Sequence, residues 1–212
     1  MTSIFRLDAS IRQDGSVTRA VADSAESTLI AEIADAHVVR RDVGAQPVSA
    51  DVWSASTFAA DRDQASGPVA AARELADEVL DADLLLIASP LYNFGVSQHF
   101  KTWVDVLISD PRLGPGSTAL QGRPALLVTA RGGGYGAGTP RAGWDHATDW
   151  KRRILADVWG LDLEVVETEL TLAESTPQMA DLRDLARAQL EQSHELAREH
   201  ARALVDRLRT HV

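Results

Sequence analysis

The chain has 212 residues, of which 45% are hydrophobic and 25% charged, the balance of an ordinary folded globular protein. Its net charge of −10 excludes nucleic acid or an anionic membrane as the main partner, since both select basic surfaces. With no cysteine it has no disulfide, no thiolate metal site and no thiol redox chemistry, so any redox function must come from a bound cofactor. No apolar run approaches the roughly 18 residues of a membrane span, and the first residues lack a charged-then-apolar leader pattern. We expect a soluble, cytoplasmic protein folded as one domain over residues 1–212.

Ser3–Asp8 alternates briefly and predicts a first strand. Ala9–Ser16 reads as a loop. Ser16 is positioned to cap a helix whose Val17, Val21, Ala25 and Leu29 recur every four residues. His37–Asp42 is a short second strand. From Gly44 to Pro68 the pattern weakens, with Val52, Trp53 and Phe58 among acidic and small polar residues; so long a loop in a compact domain is usually functional, and a flap with a little helix is expected. A helix follows over Val69–Leu80.

Leu84–Ala88 is a continuous apolar run, as in a parallel strand covered on both faces. It stops at Ser89-Pro90-Leu91-Tyr92-Asn93-Phe94-Gly95. Ser97 then caps a helix carrying Phe100, Trp103, Val104, Leu107 and Ile108 on one stripe. Pro111–Gly122 is a Pro/Gly-rich loop. Ala125–Thr129 is the fourth strand, Arg131–Gly138 a very flexible turn, and Trp144–Trp159 an amphipathic helix. Leu163–Glu167 is the fifth strand, and a last helix runs over Met179–Leu208. Strands alternating with helices five times predict an α/β fold, a doubly wound parallel sheet with helices on both faces and a flavodoxin-like order 2-1-3-4-5.

In that fold the loops after strands one, three and four converge at the carboxyl edge, where ligands bind. The first offers Ser10, Ser16, Thr18 and the N–H groups of a helix start, a phosphate site without the lysine of a nucleotide P-loop, or simply a capped helix with polar loop residues. In the second, Tyr92 and Phe94 can cover a planar ring while Asn93 and the turn's N–H groups meet its polar edge; the alternative is a plain solvent-facing hairpin. The third, Arg131 with three glycines, can bring N–H donors close to a ring carbonyl or serve as a mobile linker. Phe100 and Trp103 read as core. His99 and His146 read as polar residues at helix starts, and His194 and His200 are spaced wrongly to share a metal. No nucleophile elbow and no metal-ligating cluster is present.

Taken together, Ser10 with Ser16-Val17-Thr18, the run Ser89–Phe94, and Thr129-Ala130-Arg131-Gly132-Gly133 resemble the FMN-dependent NADH-azoreductase family of flavodoxin-like NAD(P)H quinone and azo reductases. The resemblance implies that Ser10, Ser16, Val17 and Thr18 hold the FMN phosphate. It implies that Pro90, Leu91, Tyr92, Asn93 and Phe94 flank the isoalloxazine, and that Ala130, Arg131, Gly132 and Gly133 meet its far edge. It further implies NADH or NADPH as donor, a quinone or azo compound as acceptor, and ping-pong hydride transfer through flavin N5 without a catalytic side chain or metal. Family members are homodimers, so the Gly44–Pro68 flap would cover a partner's flavin. Two segments depart from the family pattern: Ser109–Gly122, which has no aromatic residue, and the Trp144–Lys151 stretch. A specialised flavin enzyme acting on a biosynthetic quinone or an N–N or N–O bond, and an electron-transfer flavodoxin-like carrier, are the alternative readings.

Overall fold

The computed structural model of the chain describes residues 1–59 and 66–210; the part of the 44–68 segment between 60 and 65 lies outside the described residues. Five strands, β1 (Thr2–Asp8), β2 (Ala36–Asp42), β3 (Leu84–Ala88), β4 (Pro124–Ala130) and β5 (Asp162–Thr168), form one parallel sheet in the order β2-β1-β3-β4-β5. The expected 2-1-3-4-5 order is the one found. Among the described residues six α-helices accompany them: α1 (Val17–Glu32), α2 (Ala50–Phe58), α3 (Gly67–Leu80), α4 (Gln98–Ser109), α5 (Thr148–Arg152) and α6 (Arg183–Thr210).

Strand alternation sends successive side chains to opposite faces, and this divides the core in two. Phe5, Leu7, Leu85, Ile87, Ala125 and Leu127 pack under α3, α4 and the segment that follows α5. Ile4, Leu84, Leu86, Leu126 and Val128 pack under α1 and α6. Because β3 and β4 are central, both of their faces are covered, which is why Leu84–Ala88 and Ala125–Val128 are unbroken apolar runs. Phe100 and Trp103 are wholly buried, and Trp103 stacks on Phe5 with centroids 6.0 Å apart. They are core, as their stripe indicated.

Two elements differ from expectation. The Trp144–Trp159 stretch is not one helix. The Asp145 carboxylate accepts from the Ala147 and Thr148 N–H groups at 2.8 and 2.9 Å, so helical bonding begins only at Thr148. After Arg152 the chain widens into a π turn over Arg153–Val158, leaving Trp144 outside any helix. The last helix likewise begins as a 3₁₀ segment, Pro177–Leu182, and becomes α-helical at Arg183.

Candidate active site

The loops after β1, β3 and β4 meet at the carboxyl edge of the sheet and enclose a cleft of about 100 Å³. Its lining brings together Ser10, Ser16, Val17, Thr18, Pro90, Leu91, Tyr92 and Ala130, eight residues drawn from three distant stretches of chain. Arg12, Gly15, Thr171 and Leu172 complete it. A larger hollow of about 440 Å³ bordered by Ser56, Val69, Arg73 and Arg112 shares none of these residues.

On the β1 side, Gly15 takes a left-handed φ of +67°, turning the chain into the α1 start. The Ser16 hydroxyl accepts from the Arg19 N–H at 3.5 Å and lies 3.2 Å from the Thr18 hydroxyl. The first turn of α1 holds no acidic residue, so the partial positive charge of the helix start faces the cleft uncompensated. Ser10, nearly buried, shares its hydroxyl with the Arg12 N–H at 3.2 Å and the Tyr92 hydroxyl at 3.1 Å. That last contact ties the first loop to the second. Gly44 supports the same loop from below: a Cβ there would come within 1.9 Å of the Ser10 carbonyl oxygen.

On the β3 side, Leu91-Tyr92 pairs with Gly95-Val96 in a minimal hairpin whose central residues, Asn93 and Phe94, have φ of +48° and +66°. Both sit in the left-handed region that such hairpins require, where an aromatic residue is strained by roughly 1–3 kcal/mol. The Phe94 carbonyl accepts from the His146 N–H at 3.0 Å, which helps to hold the turn. Asn93 and Phe94 are exposed on the turn tip rather than in the cleft lining. Phe94 packs edge-on against Trp144 at 5.4 Å and near Tyr135 at 6.5 Å, forming a partly exposed aromatic platform beside the cleft.

On the β4 side Arg131 is not part of the cleft lining. Only 8% exposed, it pairs with Asp145 and Glu169 at 2.8 Å each and with Glu167. Burial pulls the guanidinium down, and the three carboxylates more than offset this, raising it above its ordinary value. Burial likewise pushes the Asp145 carboxyl up, but hydrogen bonds from Thr148 and Ala147 and the charge of Arg131 leave it below the usual range. Arg131, Gly132 and Gly133 offer their carbonyls to Thr171, Leu172 and Leu170 N–H groups at 3.1–3.2 Å, so this turn is bonded to the chain after β5 rather than free-standing. Leu172 lies so close over Gly132 that a Cβ there would approach it to 2.6 Å. The N–H groups of Gly132 and Gly133 make no hydrogen bond to the described residues, and neither glycine is part of the cleft lining.

The family model for the flavodoxin-like fold matches residues 2–207. The chain belongs to this flavodoxin-like family. A protein from Kineococcus radiotolerans named FMN-dependent NADH:quinone oxidoreductase is 38% identical over 210 residues, covering 96% of this chain and all of that one. One of the same name from Streptomyces coelicolor is 33% identical, covering 98% and 97%. Among solved structures, an FMN-dependent NADH-azoreductase from Bacillus anthracis in complex with FMN superposes with a TM-score of 0.74 at 16% identity, covering 95% of this chain and 100% of that one, a likeness of fold.

Within this flavodoxin-like frame, sequence reading did not single out Arg12, Thr171 or Leu172, and it named Lys151 only within the Trp144–Lys151 departure from the family pattern, as part of a substrate-pocket wall. Arg12 lines the cleft, and its carbonyl accepts from Ser10 and Arg19 at 3.3 Å, fixing its backbone beside the α1 start. Lys151 is wholly buried behind the cleft wall, its Nζ 2.6 Å from the Ser89 carbonyl. In the sequence it stands in the run Trp150-Lys151-Arg152-Arg153, of which Arg152 and Arg153 are exposed. No cluster of metal-ligating side chains occurs among the described residues. His194 is occupied in tethering α6 to α1, its Nδ1 2.8 Å from the Ser24 hydroxyl.

Proposed function

We infer that this chain is an FMN-dependent NADH:quinone oxidoreductase, with azo compounds as a second class of acceptor. The observation that carries this reading is the single cleft in which a hydroxyl-lined helix start meets the Pro90–Tyr92 wall and Ala130. The donor set suits FMN. A phosphate would take the Ser16 and Thr18 hydroxyls, the free N–H groups of the first turn of α1, and Arg12. The cleft is smaller than the several hundred Å³ of a typical cofactor site, so the phosphate end would enter it. The ring would lie outward along Leu91–Phe94, with its polar edge on Asn93 and the Gly132 and Gly133 N–H groups. Bound FMN would carry two electrons from the nicotinamide to the acceptor.

The protein's own part is binding, orientation and polarisation. The Ser10–Tyr92 contact couples the phosphate loop to the ring wall, so that filling one sets the other. N–H donors at the ring edge oppose negative charge arriving there. The Phe94–Trp144–Tyr135 platform offers aromatic faces to a flat acceptor. We propose a homodimer in which α2 reaches over the partner's site; its Trp53 is 45% and its Phe58 85% exposed, an unusual apolar display for a free surface. No helix of the described residues is long and apolar enough to cross a membrane. We place the protein in the cytoplasm, where NADH or NADPH is supplied, and treat residues 1–212 as one functional unit. Steady-state oxidation of NADH with menadione and with methyl red tests the reading. Turnover with menadione and no added reductase is expected; no turnover with either acceptor, in protein saturated with FMN, would leave only an electron carrier.

A further inference from the structure

Lys151 is a buried ion that nothing in the proposed reaction uses. Its side chain is fully enclosed, and its Nζ donates to the Ser89 carbonyl at 2.6 Å, the Thr129 hydroxyl at 2.9 Å and, more weakly, the Pro90 carbonyl at 3.4 Å. Three donors therefore meet three neutral acceptors and no carboxylate. Those acceptors belong to the carboxyl ends of the two central strands, which are already joined there by the Ser89 N–H donating to the Val128 carbonyl at 2.9 Å. Pro90 and Ala130, the residues that line the cleft from β3 and β4, are respectively an acceptor of Nζ and the neighbour of one. The ammonium sits directly behind the cleft wall, on the far side from solvent.

Such a charge is costly where packing alone is needed, because desolvating an ion takes several kcal/mol that an apolar side chain of the same length would not require. Its field, in turn, is little screened by water or salt. FMN that takes up two electrons and one proton becomes one charge more negative. We propose that Lys151 is a positioning residue of the FMN site, clamping the ends of β3 and β4 and favouring the cofactor in its reduced, more negative state. This rests on the FMN reading above.

The charged groups acting on Lys151 are Asp145 before α5, Glu167 on β5 and Arg131 after β4. Burial pushes its amine down to about 7, with Arg131 adding to that and the two carboxylates opposing it. The charge is thus present in mildly acidic solution and withdrawn in alkaline solution, and the preference for reduced cofactor fades across the same range.

The test is a pair of titrations of FMN-free protein, one with oxidised FMN and one, under anaerobic conditions, with reduced FMN, at pH 6.5 and pH 9. Lys151→Met, which keeps length and loses charge, is expected at pH 6.5 to lose affinity for reduced FMN about tenfold more than for oxidised FMN. That ratio equals a midpoint shift of about 30 mV to more negative potential for a two-electron couple. At pH 9 wild type and variant should converge. Thr129→Val, which removes one acceptor but leaves the ammonium, should keep the wild-type ratio. A clamp without an electrostatic role would instead weaken both oxidation states equally in both variants. Should Lys151→Met fail to fold, proton uptake decides: reduction of the wild-type complex near pH 7.5 should take up more protons than reduction of free FMN. Equal ratios in wild type and Lys151→Met, or no excess proton uptake, overturn the inference while leaving FMN binding intact. Failure of the wild type to bind FMN in either state removes the FMN reading and this one with it.

Discussion

Replacing Arg131 with Ala separates a brace from a ligand. The guanidinium is 8% exposed and touches Asp145, Glu167 and Glu169, whose partners on the sheet and on α5 it draws together. Removing it leaves three carboxylates facing one another with only Arg152, 3.1 Å from Glu167, as a counter-ion, close to the situation in which breaking a buried pair costs about 3–5 kcal/mol. For a chain of this length each kcal/mol shifts the melting temperature by about 2–4 °C, so a fall of roughly 10 °C is expected in FMN-free protein at pH 7. Acid should narrow the gap. The Asp145 carboxyl lies below its ordinary value despite burial, because Thr148, Ala147 and Arg131 hold its charged form. A lowered folded value contributes stability above the unfolded value, near 4, and loses it as pH falls through the folded one. On acidification both proteins lose what the Thr148 and Ala147 hydrogen bonds contribute, and the wild type gives up in addition the part that comes from Arg131, which the variant lacks from the start. FMN affinity should change less than about fivefold, since the glycine turn is also held by backbone bonds to residues 170–172. A variant that melts within about 2 °C of wild type yet loses FMN more than tenfold would refute the brace.

Ser16→Ala combined with Thr18→Ala should weaken FMN at least tenfold more than riboflavin in fluorescence titrations, because the two hydroxyls serve the phosphate; equal losses would assign them to the helix alone. Gly44→Ala places a methyl against the Ser10 carbonyl, where a Cβ would stand 1.9 Å away. It should displace the phosphate loop, destabilise the protein by about 1–3 kcal/mol in urea and reduce FMN affinity, whereas wild-type behaviour would contradict the close approach. Phe94→Gly relieves a left-handed aromatic residue but forfeits the contacts with Trp144 and Tyr135, terms of about 1 kcal/mol each that nearly cancel. Stability should stay within about 1 kcal/mol while kcat/KM for menadione falls several-fold; unchanged kcat/KM would remove the platform from acceptor binding.

Sheet order and the helix starts were legible because both are written locally. Leu84–Ala88 and Ala125–Val128 are apolar at every position only because helices cover both faces, and Ser16 and Ser97 mark helix starts by their own side chains. The false single helix over Trp144–Trp159 has a physical cause. Apolar periodicity registers Ile154, Leu155 and Val158, but it does not register that the Asp145 carboxylate captures the Ala147 and Thr148 N–H groups or that the backbone widens into a π turn. Arg131 was assigned to the ligand because the two glutamates that occupy it lie on and just after β5, 36 and 38 residues away in the chain. That Lys151 turns inward was not legible for the same reason: its three acceptors are on β4 and just after β3, and nothing in Trp150–Arg153 says which of its basic residues is buried.

The most direct measurement of the central claim is the stoichiometry of FMN on the purified protein, read from its visible absorbance after saturation with FMN and removal of the free cofactor. About one FMN per 22.9 kDa chain is expected, with the bound absorbance bleached by NADH and restored by menadione. A protein that emerges colourless from saturating FMN, or whose bound FMN NADH fails to bleach, would contradict the claim.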